Sequence, residues 1–258
     1  MSEVINPFQS PRAELILPAE PRHELTLLAE PRALSAGSAF TWIKEGWALY
    51  KQNKALWILL VLIGFFAPMV FELVPGIGHI FSICFTIVFS AGLLWGVQQT
   101  AYQGTFGFKD IGVIFGDNKK PGTLLLLYLI NILCFGLVLL FILSPMIIME
   151  SLSIVADQET KDTLDTIMLT LGALLFLIVL MLFWFTTTLV ALHNASLLQA
   201  LRLSFKGAWR NILPLMLYIL TLVVLGILGT IPVLLGWFVV IPLYFCSWYA
   251  AYRQIYLS

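Results

Sequence analysis

ALWILLVLIGFFAPMVFELV, residues 55–74, decides the fold. Twenty residues at about 1.5 Å each match a hydrocarbon core of about 30 Å. The stretch holds 13 Leu, Ile, Phe and Val residues. At about −0.3 to −0.6 kcal/mol apiece they favour insertion by roughly 4 to 8 kcal/mol, which Glu72 near the far end does not cancel.

Working outward, Pro75-Gly76 reads as a short turn, and residues 78–98 carry the chain back across. Comparable apolar runs cover residues 123–149, 166–192, 212–235 and 237–252, the last two joined by a tight turn at Gly236. The whole chain of 258 residues is 60% hydrophobic and 11% charged, against about 25% charged in soluble domains. The expected fold is all-α: a polytopic membrane helical bundle with six transmembrane helices and two amphipathic interfacial helices. The formal net charge is zero, so no bulk field argues for nucleic acid as a partner.

Orientation follows from the cations. Short loops rich in Lys and Arg stay cytoplasmic, and with six crossings every Lys and Arg except Lys161 falls on one side. That partition predicts six spans with both termini in the cytoplasm. The acidic stretch 150–165, with Glu150, Asp157, Glu159, Asp162 and Asp165, then faces outward.

Residues 1–38 are polar, hold five prolines and lack an apolar stretch behind a basic start. They read as a disordered cytoplasmic tail, leaving the first span to direct insertion. A ten-residue repeat runs through it. Pro11-Arg12-Ala13-Glu14-Leu15 recurs as Pro21-Arg22-His23-Glu24-Leu25 and, truncated, as Pro31-Arg32-Ala33-Leu34, with an Ala-Glu pair before the second and third copies. Two readings stand: a duplicated linker, or a repeated docking motif that gains avidity for a cytoplasmic protein by multivalency.

Two segments have helical periodicity without the length or apolarity to span. In residues 40–54, Phe40, Ile43, Trp47 and Tyr50 recur at helical spacing while Lys44 and Lys51 point elsewhere. In residues 197–211, Arg202, Lys206 and Arg210 recur every four residues as one basic stripe beside Trp209, with Leu198, Leu201 and Phe205 on another face. Lys44, Trp47, Lys51, Arg202, Lys206, Trp209 and Arg210 are the candidate contacts to lipid headgroups, where aromatic rings and long cations are both favoured. The two segments also echo one another: Trp47 and Asn53 precede the first span as Phe205 and Asn211 precede the fifth. This implies a repeated unit of amphipathic helix plus hairpin.

Ionisable groups at membrane depth point to transport or proton relay, and here they are scarce. Asn131, Thr186, Thr187 and Thr188, with His193 at the inner end of the fourth span, are the candidate lining of a cavity between the spans. No nucleophile–base pair, zinc spacing or phosphate loop occurs, and Cys84, Cys134 and Cys246 sit at unrelated spacings in apolar runs. The sequence therefore predicts neither enzyme activity, cofactor nor metal.

Ala36-Gly37 followed by Trp42-Ile43 and Gly46-Trp47, the stretch Leu197 to Asn211, and the close from Ile231-Pro232 to Tyr252-Arg253 together resemble an uncharacterised family of proteobacterial six-span inner-membrane proteins. The resemblance covers about residues 36–256, and Asn6-Pro7-Phe8 is similar to the Asn-Pro-rich opening of its members. It implies the six-span topology and carries over no catalytic residue. More distantly, the amphipathic helix followed by a hairpin is similar to membrane regions attached to some glycerophosphodiester phosphodiesterases, without their catalytic domain. The expected role is a non-enzymatic interaction, assembly or envelope-maintenance component contacting anionic lipid. The alternative is a transporter of a small solute or lipid.

Overall fold

The computed structural model describes residues 26–112, 121–151, 157–232 and 235–258. The first two copies of the tail repeat, and Lys119 and Lys120, lie outside the described residues. The chain is a helical bundle of α1 (Ser38–Gln52), α2 (Lys54–Phe71), α3 (Gly78–Gln103), α4 (Phe108–Ile111), α5 (Pro121–Ser151), α6 (Gln158–Phe183), α7 (Thr186–His193), α8 (Leu197–Arg210), α9 (Ile212–Thr230) and α10 (Trp237–Tyr256). In lipid a helix satisfies every backbone N–H and C=O within its own segment, so the apolar runs have no cheaper conformation. The α2–α3 turn needs Gly76, whose φ of 84° lies where side-chain-bearing residues are strained.

Among the described residues, five stretches are long and apolar enough to cross a membrane: α2, α3, residues 122–144 of α5, the joined pair α6–α7, and α9. The sixth expected span, α10, has the length at 20 residues but falls short in apolarity. Its second half, Ser-Trp-Tyr-Ala-Ala-Tyr-Arg-Gln-Ile-Tyr, is rich in groups that need partners. Most of that half faces protein: Ser247, Tyr249, Tyr252 and Tyr256 are fully buried. Thus α10 is the central post, whereas α2, α5, α6 and α9 present long rows of exposed Leu, Ile, Val and Phe outward, as helices solvated by lipid do.

The close packing lies toward the end of the bundle that carries α1, α8 and the C-terminal half of α10. There Trp42, Trp57, Phe185, Tyr218, Tyr249, Tyr252 and Tyr256 form the largest fully buried side chains. Of all the helix pairs, α1 and α10 share the most extensive contact. Their backbones meet at Gly46, where a Cβ would sit 2.5 Å from the amide nitrogen of Ser247. Polar bonds fix the register of this pair. The indole N–H of Trp42 donates to Gln254 Oε1 at 3.0 Å, and Glu45 accepts from Gln254 Nε2 and Arg253 Nη2, both at 2.9 Å.

The two amphipathic helices join their hairpins in the same way. At Asn53 (φ −138°, ψ 46°) the amide donates to Tyr50 O and the carbonyl accepts from Trp57 N–H. At Asn211 (φ −122°, ψ 28°) the partners are Ala208 O and Leu215 N–H, at the same spacings. Local geometry therefore repeats in the two units, as the echo in their sequences suggests.

The fourth span is interrupted at Trp184-Phe185, between α6 and α7. The Ser204 hydroxyl, from α8, donates to Met181 O and accepts from Phe185 N–H, each at 2.9 Å. It stands in for the helix bond that Phe185 would make to the carbonyl four residues earlier, a recognised cause of a break.

At Gly46 the obstruction is backbone, which cannot swing aside. Gly46→Ala should lower the thermal midpoint in detergent by several degrees, equivalent to about 1–3 kcal/mol of overpacking. Gly136→Ala, where an added Cβ meets nothing within 4 Å, should leave it unchanged.

Candidate functional site

The residues before α1 do not hang free. Where the composition predicts a mobile tail up to residue 38, residues 26–37 lie against the bundle. Leu28 N–H donates to Tyr256 O, Arg32 N–H to Ile255 O and Ser258 N–H to Thr26 O. An isolated antiparallel bridge pairs Leu27 with Leu257. This strap carries the third repeat copy. A polar, proline-bearing segment can be ordered when its backbone groups find partners outside it, and the end of α10 supplies them.

The strap crosses the C-terminal end of α8. Glu30 Oε1 accepts from Lys206 Nζ at 2.7 Å, and its Oε2 lies 2.6 Å from Arg210 Nη2. Arg210 Nη1 donates to Pro31 O at 2.8 Å. The Asn211 side chain donates through Nδ2 to Arg32 O and to Gly207 O, and accepts Leu34 N–H at Oδ1. Pro31 is buried, and Asn211 is fully so. The hydrogen bond from Lys206, and then the charges of Lys206 and Arg210, hold the Glu30 carboxyl below its ordinary pKa, outweighing desolvation, which acts the other way. Asn53, in the matching position of the other unit, has a buried Nδ2 with no partner among the described residues.

Of the seven candidate headgroup contacts, Lys206 and Arg210 are thus engaged with the strap, although each keeps about half its surface open. Lys44, Lys51 and Arg202 are exposed. Trp209 is 63% exposed, its ring stacked on Phe205, and Trp47 is 41% exposed beside Tyr50. The buried stripe of α8 is Ala200, Leu203, Ser204, Gly207 and Ala208. Small residues there let α8 lie close to its neighbours, and the Tyr256 hydroxyl, which donates to Leu203 O, occupies the place a side chain at Gly207 would take.

The five candidate cavity residues are not brought together. Asn131 lines a cavity of about 760 Å³ between α5, α6, α9 and α10, with Thr230, Trp184, Trp237, Tyr244 and Trp248. Thr186 is buried and donates to Leu182 O within its own span. Thr188 accepts from the Trp248 indole at 3.0 Å, His193 Nδ1 lies 2.8 Å from the Tyr252 hydroxyl, and Thr187 is half-buried. Thr188 and His193 therefore serve as internal fastenings to α10. Among the described residues no His, Cys, Asp or Glu group is arranged to hold a metal ion.

Comparison with family models, with curated proteins and with solved structures finds no match for the chain.

Sequence reasoning missed Glu30 and the carboxamide of Asn211 as binding groups. The available signal was the Ala-Glu pair that precedes the repeated Pro-Arg. Because the Glu30 pKa is lowered on docking, the strap's ionic hold is present above the ordinary glutamate range and is lost as pH falls through the lowered value. Amide exchange in residues 26–34 should therefore accelerate, relative to the intrinsic rate, on acidification below that range. Asn211→Ala, which removes two hydrogen bonds to the strap, should raise it at least tenfold at neutral pH at about 1 kcal/mol per bond.

Proposed function

We propose that this multi-pass membrane protein is a non-enzymatic component of a bacterial inner membrane. In this reading it contacts anionic lipid through the surfaces of α1 and α8 and serves interaction, assembly or envelope maintenance. The observation that carries the reading is the outer face of these two helices. Lys44, Lys51 and Arg202 stand exposed beside the exposed rings of Trp47 and Trp209, a pairing suited to the headgroup boundary. Neither helix has the length or apolarity to span, and each leads directly into an apolar one. Lys206 and Arg210 add to the same basic field while holding Glu30.

A cytoplasmic position for this face follows from the distribution of cations. The docking of Thr26 against Ser258 fits an even number of crossings between them, with α10 as the sixth in this reading. Membrane lipids are the partners proposed, together with a cytoplasmic protein that reads the repeated tail; no nucleic acid is involved. Each cation near an anionic surface contributes about 1 kcal/mol. The triple variant with Lys44, Lys51 and Arg202 changed to Gln should therefore retain at least tenfold less anionic phospholipid through detergent purification, at unchanged zwitterionic lipid. Equal retention would remove the lipid reading.

A second reading, transport of a small solute or lipid, rests on the cavity that Asn131 lines. Besides Asn131 and Thr230 its wall includes Trp184, whose indole N–H is buried and has no partner among the described residues. Flux through reconstituted vesicles that is abolished in Asn131→Leu would favour this reading over the first. Absence of flux for both charged and neutral small solutes and for labelled lipid would dispose of it.

A further inference from the structure

We propose that Lys206, Arg210 and Asn211 form a recognition cradle for a Glu-Pro-Arg peptide, and that Glu20-Pro21-Arg22 is its second ligand, within the same chain. The cradle reads three features of the third repeat. Lys206 and Arg210 clamp the Glu30 carboxylate, Arg210 also takes the Pro31 carbonyl, and Asn211 takes the Arg32 carbonyl and the Leu34 amide. The proline is buried against the bundle, and the arginine side chain is left in solvent. Recognition therefore rests on one acid, one proline and main-chain groups.

Ten residues upstream the sequence presents Glu20-Pro21-Arg22 in the same order. Placed on the cradle, this copy meets every one of those demands. Glu20 supplies the carboxylate, Pro21 and Arg22 supply the carbonyls, and the amides of Arg22 and Glu24 stand where those of Arg32 and Leu34 do. Two bonds are missing. The Thr26 hydroxyl meets Ser258 Oγ at 3.1 Å, whereas the residue ten positions earlier is Ile16, which has no hydroxyl. Leu28 N–H donates to Tyr256 O, whereas the residue ten positions earlier is Pro18, which has no N–H. The first copy has Ser10 where the others have glutamate, so it brings no carboxylate and is not a ligand.

The order of preference follows. Loss of the Leu28 bond weakens the second copy roughly fivefold, and loss of the exposed Thr26 contact adds to that. Connecting it to α1 closes a loop of residues 25–37 in place of 35–37, which costs roughly another tenfold in probability. The third copy therefore holds the cradle, with the second as a reserve ligand at no more than roughly one part in fifty.

Removing residues 26–35 deletes one repeat and brings Glu20-Pro21-Arg22 to the cradle with the connection to Ala36 unchanged in length. Zero-length carbodiimide coupling reads the contact, because it joins a lysine only to a carboxylate that touches it. In the full chain, purified in detergent, Lys206 should couple to Glu30. In the chain lacking 26–35 it should couple to Glu20, and that product should vanish when Glu20→Gln is added. In the chain lacking 16–35, which presents Ser10, Lys206 should couple to nothing in the tail. Leu28→Pro in the full-length chain supplies a check that needs no deletion: the share of Lys206 joined to Glu20 should rise about fivefold. Coupling of Lys206 to Glu14 or Glu24 as readily as to Glu20 would overturn the proposal, as would failure to couple to Glu20 in both the shortened chain and the Leu28→Pro variant. So would a Glu20 product that joins heavy to light chains in an isotopically mixed sample, which would assign it to a neighbouring copy.

Discussion

The approach of α1 to α10 is the constraint on which the rest of the bundle hangs. A Trp-rich amphipathic helix is held against the polar half of a spanning one. The holding depends on a single missing side chain at Gly46 and on a three-way bond between Glu45, Arg253 and Gln254. Burying Ser247, Tyr252 and Tyr256 in protein gives their hydroxyls partners in Tyr218, His193 and the Leu203 carbonyl, whereas unpartnered hydroxyls in hydrocarbon are costly. The remaining long helices can then be almost wholly apolar. The Tyr218 hydroxyl meets Ser247, and Trp248 reaches Thr188, so α9 and α7 are keyed to the same post.

Much of this architecture was legible in the sequence, for a physical reason. Insertion depends on length and summed apolarity, both local properties, and so α2, α3, α5, the fourth span and α9 announce themselves. The helix α10 is different. Its tyrosines, serine and arginine dilute its apolarity, so the run at residues 237–252 is a weaker signal, and the distribution of cations on the two sides adds the argument for it as a crossing. The break at Trp184-Phe185 is not written locally at all, since no proline or glycine sits there. Its cause, Ser204, lies on another helix. The amphipathic helices were readable from their periodicity, and the matching geometry at Asn53 and Asn211 bears on an echo that in sequence amounts to only a few residues.

The candidate site was legible in part. The exposure of Lys44, Trp47, Lys51, Arg202 and Trp209 follows from helical spacing. The engagement of Lys206 and Arg210 does not, because their partner lies some 176 residues away in a segment whose composition suggests disorder. Composition measures whether a segment can build a core of its own. It says nothing about whether a neighbour offers backbone partners, and here Ile255, Tyr256 and Ser258 offer three. Asn131, Thr186, Thr187, Thr188 and His193 teach a similar lesson. Polarity within a span marks these residues as needing partners, and for Thr186, Thr188 and His193 the partners are parts of the bundle itself.

The Ser204 hydroxyl has a mechanical consequence. By taking both ends of an interrupted backbone bond, it makes the amphipathic helix α8 a splice in the fourth span. Lifting α8 would expose an amide and a carbonyl at Phe185 and Met181, or oblige the two halves to rejoin as one straight rod. The position of α8 and the straightness of the fourth span are therefore one variable, set by a single oxygen atom.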